Sequence, residues 1–518
     1  MKQLIYGATL VATEQTIEER GEILFLPNGG EKLLAIVGTH WKIRAVSLYA
    51  FSDDSDMLTK ENEYIYFYKR PQKPIEGNIF FLDHILSGES IFIASESPDF
   101  VCPTLTVSLG EVRLENGGNA VAIGWGKTSE IESICRAYYR NAIVHKLPQT
   151  MSNTWGDRHG TERVCRDFVL REIEAAKEIG VDIVQVDDGW QIGQTASPNI
   201  RNELGRRCFR GDFWEVDRQR FPNGMEEIGK AAREAGRKFG IWFAPDSENN
   251  YALLERDIAV LKRAYDEWGV RFFKLDMYWI DSNENRDQFL KLLNTIYSFG
   301  DDVSVQLDVT RDRRINYLCG KEYGSIFVEN RYTKSANSYP YRILRSLWGF
   351  SKYLPTIRLQ FELVNPDLCT TAYAEDDVFA PSHYGMDYLF ATVMLSNPLF
   401  WMELQFLPEE RRRELAPVMK VWQSIREDIA TADVSPLGER PDGRSLTGFA
   451  VRGQERSYLL LFRELTDRDT LEWDLEAPAE IVGTVISNTE VSANTDGNRI
   501  RVRLADPRGY ALIEVKSE

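Results

Sequence analysis

The side chains with the most to offer chemically are carboxylates that close apolar runs. Asp187 and Asp188 follow VDIVQV, Asp276 ends VRFFKLD, and Glu329 ends SIFVEN. Short apolar runs of this length read as buried strands. A single carboxylate at a strand end often serves only to cap the next helix or to accept from loop amides. Four of them at the same end of three strands point instead to a shared mouth. Lys274 stands two residues before Asp276, so both lie on one face of a strand, and its ammonium can hold the carboxylate ionised or meet a substrate hydroxyl. An aspartate that stays ionised is suited to nucleophilic attack. Asp187 and Asp188 with Trp155, Trp190 and Trp242 would add hydroxyl acceptors and flat apolar faces, the furniture of a carbohydrate pocket.

Positioning those groups requires a repeating strand and helix pattern, and the middle of the chain has one. Strands are predicted at QTMSNTW, VDIVQVDDGW, KFGIWFAPD, VRFFKLD, VSVQLDV, SIFVEN, TIRLQF and NPLFWM. Between them, TERVCRDFVLREIEAAKEIG places Val164, Phe168, Ile173 and Ile179 on one helical face with Gly180 as a stop, and ALLERDIAVLKRAYDEWG repeats apolar residues at three- and four-residue steps. Eight such units predict a (β/α)8 barrel, whose active sites form at the C-terminal strand ends. Residues 1–147 read as a β-rich sandwich, with EVRLENGGNAVAIGWG as a hairpin about Asn116 to Gly118. Residues 148–433 form the barrel, and 434–518 a small β-sandwich with a turn at Asp496 and Gly497.

Other catalytic signatures are missing. AIGWGKTSE lacks the first glycine of a phosphate loop, neither GxSxG nor HExxH occurs, and the five histidines are dispersed. Six scattered cysteines without a CxxC pair read as free thiols. Acid–base chemistry therefore falls to carboxylates, and neither a cofactor nor a metal is expected.

The pair VDIVQVDDGW and FFKLD, with KFGIWFAPD between them and NTWGDR at the first strand, resembles the glycoside hydrolase family 36 α-galactosidases. The resemblance runs from about residue 150 to 465 and implies a retaining exo-α-glycosidase. By it Asp276 is the nucleophile, while Asp187, Asp188, Lys274, Trp155, Trp190 and Trp242 line the sugar subsite. Glu329, in VENRYT, takes the place of the family's acid/base aspartate and is one methylene longer. Asp308 is the rival for that role, and Arg331 is a further candidate for substrate contact. Where the family carries a CSGGGR-like stretch, this chain has LDVTRDRRINYLCG, with Asp308, Arg311 and Asp312. The resemblance thus implies the mechanism, but not galactose as the sugar.

Composition narrows the partners. Lys and Arg total 62 against 79 Asp and Glu, a net charge of −17, which disfavours nucleic acid and anionic membranes. No apolar run reaches membrane-spanning length and the N-terminus lacks a secretory leader pattern, so a cytoplasmic protein acting on an oligosaccharide or other α-glycoside is expected. Transfer to a sugar acceptor, a metal-dependent barrel enzyme and a carbohydrate-binding protein are the competing readings. The N-terminal β region is expected to shape the pocket rim or an oligomer contact.

Overall fold

The computed structural model describes residues 2–517 apart from 6–7, 13–17, 21–22, 29–33, 38–39, 49–58, 67–72, 109–110, 158–159, 197–207, 210, 311–312, 329–330 and 475–478. Its centre is a closed eight-stranded barrel. The strands are β1 (Met151–Asn153), β2 (Ile183–Val186), β3 (Lys238–Phe243), β4 (Val270–Leu275), β5 (Ser304–Asp308), β6 (Ser325–Phe327), β7 (Leu359–Leu363) and β8 (Asn397–Phe400). All eight pairings are parallel and β1 closes on β8. Each predicted strand segment overlaps one of them, the seventh starting three residues early and ending two short.

Helices cover the outside. The first after β1 spans Arg166–Ile179 and ends at Gly180, as its sequence predicts. Val164 precedes it but packs into the same core. Another, Leu254–Asp266, buries Leu254 and Leu261, and Trp268 follows just beyond its end. Among the described residues no helix is long and apolar enough to cross a membrane.

The alternation of strand residues decides what fills the barrel. Met151, Ile183, Phe272, Phe327, Leu399 and Trp401 form one apolar cluster in the lumen. Polar side chains share these faces at period two: Asn153 bonds Gln185, and Gln306 bonds Gln360 across the interior. The next inward positions toward the C-terminal mouth are Asp187, Asp276, Asp308 and Glu362. Register sets Trp242, Lys274 and Gln306 side by side on β3, β4 and β5.

Before the barrel, six-stranded and seven-stranded antiparallel sheets enclose an apolar core that includes Leu24, Trp41, Ile91 and Val112. The hairpin expected about Asn116 to Gly118 does not form. Glu111–Glu115 pairs within the six-stranded sheet and Val121–Lys127 within the seven-stranded one, so the turn carries the chain from one sheet to the other. Both flanking strands have a buried face to satisfy, and two facing sheets satisfy them better than one hairpin. After the barrel come a five-stranded and a three-stranded sheet. There the predicted turn does join a hairpin, with Asp496 opposite Arg499.

Candidate active site

Asp276 directly follows β4, and its carboxylate is held on three sides. Trp242 Nε1 donates to Oδ2 at 3.1 Å, the Met277 amide to Oδ1 at 2.5 Å, and Arg314 Nη2 to Oδ1 at 3.3 Å. Met277 sits at φ 53°, in the left-handed region that costs a residue with a Cβ about 1–2 kcal/mol, and this turn aims its amide at the carboxylate. Burial alone would raise the Asp276 pKa, but Arg314, Lys274 and the two donated hydrogen bonds outweigh it and hold the group below its ordinary value. It is therefore a carboxylate at neutral pH.

Lys274 helps to hold Asp276 ionised through space, while its ammonium bonds Asp187 at 3.0 Å and lies 3.9 Å from Asp308, since a long side chain pointing into the lumen reaches across to β2 and β5. The rings of Trp401 and Phe327 lie 5.1 and 5.5 Å from it. Burial opposes its charge, yet Asp187, Asp308 and Asp276 together raise its pKa. Asp187 accepts in addition from Asn153 Nδ2 at 2.8 Å.

Asp308 ends β5 with Oδ1 accepting from the Thr310 amide at 3.0 Å and hydroxyl at 2.7 Å. Burial and the negative Asp276 push its pKa up to about 6, against the pull of Lys274 and Arg314. Asp188 accepts from Gln191 Nε2 at 2.5 Å and from Thr195. Burial raises its pKa too, with the charges of Asp187 and Asp276 adding to the effect.

The tryptophans divide. Trp242 overhangs Asp276, and half-buried Trp155 donates to Tyr332 Oη at 3.3 Å at the mouth. Trp190 is not brought to the site. It is fully buried, stacks on Trp214, meets Trp268 edge-on and donates to the Trp242 carbonyl. It lies in the turn after β2, which carries its ring outward into the apolar layer beneath the helices. Arg331 is likewise fully buried, with Nη1 donating to the Asn337 carbonyl at 2.9 Å and its amide to Glu362 Oε1 at 3.1 Å, so its guanidinium braces its own loop. Glu329, Arg311, Asp312 and His159 lie outside the described residues.

Three side chains at this mouth escape a reading of the sequence: Arg314, Glu362 and Trp401. Glu362 and Trp401 could have been found from parity, two residues after Gln360 and Leu399 on inward faces. Gly156 shows how tightly the rim is built, since a Cβ there would meet the Trp401 carbonyl oxygen at 2.3 Å.

Residues 134–284, which carry Trp155, Asp187, Asp188, Trp242, Lys274 and Asp276, match the Melibiase family model. An α-galactosidase of Escherichia coli is 32% identical over 116 residues, 22% of this chain and 15% of that protein. The α-galactosidase AgaA of Geobacillus stearothermophilus is 35% identical over 111 residues, 21% of this chain and 13% of that protein. These alignments therefore span well under a fifth of the relatives' length. The crystal structure of AgaA, a GH36 α-galactosidase, superposes with a TM-score of 0.64 at 12% identity, covering 99% of this chain and 81% of that one. A variant of AgaA in complex with raffinose gives 0.66 at 12% identity, covering 96% and 81%. At such identities the superpositions speak for the fold.

Proposed function

We propose that this chain, an α-galactosidase-like protein of the glycoside hydrolase family 36 type, is a retaining exo-acting α-glycosidase that cleaves terminal α-linked sugars by double displacement. The observation that carries the reading is the Asp276 carboxylate, kept ionised at the barrel mouth by Arg314, Lys274 and Trp242 Nε1. In this reading Asp276 attacks the anomeric carbon as the leaving oxygen takes a proton from the general acid. Water then displaces the carboxylate, the same residue acting as base. Glu329 is assigned as that acid/base. Asp187 and Lys274 form a buried charged pair suited to adjacent sugar hydroxyls, Asp188 adds a further acceptor, and Trp242 and Trp155 supply the apolar walls. The raffinose complex of AgaA supports α-linked oligosaccharides as the substrate class.

One observation favours a second assignment of the acid. Asp308 has a pKa near 6 beside an ionised Asp276, the split in proton affinity that separates an acid from a nucleophile. Retention requires the two carboxyl groups to stand about 5–5.5 Å apart. Aryl α-glycosides with good and poor leaving groups separate the candidates. Loss of the acid spares the activated substrate and is rescued by azide, so Glu329→Gln is expected to show this pattern and Asp308→Asn is not. Product analysis by NMR is expected to show the α-anomer first, and a β-anomer would overturn the nucleophile assignment. Added sugar acceptor distinguishes hydrolysis from transfer.

A further inference from the structure

Arg314 is the cation in direct contact with Asp276, and it is set from outside the barrel. It is buried, its guanidinium lies 4.6 Å from the ring centroid of Tyr278, and one Nη donates to Asp276 Oδ1. Its backbone is pinned on two sides. The carbonyl of Arg313 accepts from the Ile280 amide at 2.8 Å, in the loop after β4, and the carbonyl of Arg314 accepts from the Asp99 amide at 3.0 Å. Asp99 belongs to the N-terminal β region, in a turn closed by the Val101 amide donating to the Pro98 carbonyl at 3.0 Å. The neighbouring turn of that region grips the helix after β4: Asn283 Nδ2 donates to the Gly117 carbonyl at 3.1 Å, and Arg286 bonds Asn119 Oδ1. Two turns of the N-terminal region thus clamp the loops following β4 and β5.

We propose that Arg314 is a positioning residue for Asp276, preset by the Pro98–Val101 turn of the N-terminal β region, which thereby forms part of the active-site machinery. An arginine tied at its own backbone gives up little freedom when it meets a carboxylate, so the contact is pre-organised. Calling Asp276 the nucleophile rests on the function proposed above, whereas the contact itself does not.

Other groups bear on Asp276 as well: Trp242 from β3, Lys274 from β4, Asp187 and Asp188 from the β2 end, and Asp308 from β5. Removal of Arg314 must therefore be read as a shift and not as an all-or-none loss. The test uses the full chain carrying [13Cγ]aspartate, with the Asp276 resonance assigned by its disappearance in Asp276→Asn. Arg314→Met is expected to raise the Asp276 titration by about one pH unit, with Arg314→Lys intermediate, and the acid limb of kcat/KM is expected to move with it. Asp99→Pro removes the amide that the Arg314 carbonyl accepts from, at the turn position proline favours, together with a buried carboxyl that faces Arg314; it is expected to move the same midpoint in the same direction by less, and Asp99→Asn, which keeps the amide, is expected to move it less still. An unchanged midpoint in Arg314→Met overturns the positioning role, and an unchanged midpoint in Asp99→Pro overturns the part given to the N-terminal region. A midpoint that moves in a protein inactive on every α-glycoside supports the contact and removes the function proposed for the site.

Discussion

The ends of β4 and β5 carry the same side chain one strand apart, yet the two aspartates hold their protons unequally. Asp276 receives an indole N–H, a backbone amide and a guanidinium, and stays ionised. Asp308 receives an amide and a hydroxyl from Thr310 and has Lys274 only at 3.9 Å, while Asp276 faces it as a like charge. Both are buried. Neighbours as well as burial therefore set how firmly each holds its proton, and cations placed beside one carboxylate more than the other pull their affinities apart.

The largest way to break this asymmetry is Asp276→Asn, expected to lower kcat/KM on aryl α-glycosides by about 10^4-fold or more, with the thermal midpoint close to wild type. Full activity would end the nucleophile assignment. Lys274→Met comes next. It removes the cation shared by Asp187, Asp276 and Asp308, and a fall of order 10^2-fold is expected, with the acid limb of the pH profile displaced upward.

A smaller effect, of opposite sign for stability, is expected for Asp308→Asn. A carboxyl whose folded pKa lies above its unfolded value binds its proton more tightly in the native state. Its ionisation therefore costs stability as pH rises from about 4 through about 6. The asparagine variant should melt higher than wild type above pH 6, gain nothing below pH 4, and lose less than tenfold in activity on activated substrates. A lower melting point at pH 7.5 would show that the ionised Asp308 is stabilised by its neighbours. The smallest effect on catalysis belongs to Trp190→Phe, expected to cost about 1–3 kcal/mol in denaturant melts with KM unchanged. A raised KM would return Trp190 to the sugar pocket.

The barrel was legible because most strands are short apolar runs ended by polar residues, so the carboxylates Asp187, Asp188 and Asp276 could be placed at one face from local sequence alone. Side-chain direction needed more. Trp190 and Trp242 look alike in sequence, and only the register of β3 against β4 shows Trp242 turning inward while Trp190 packs under the helices. Arg314 stands in RDRRIN, where nothing local separates it from Arg313. What distinguishes it is a contact to Asp99, 215 positions earlier, and pairing over such separations leaves no periodic trace. The turn at Asn116 to Gly118 misled for the same reason, because turn residues report a reversal of the chain and not which sheet receives it.

The lumen beneath Lys274 is stoppered by Met151, Ile183, Phe272, Phe327 and Leu399. A pocket resting on that plug is blind-ended, with one doorway for traffic in both directions. On the proposed function, a sugar lodged against Asp276 would wait for the departing half of its substrate to clear the threshold. The order in which products leave would thus be written into the plugged barrel, and inhibition by the second product released should be competitive with substrate.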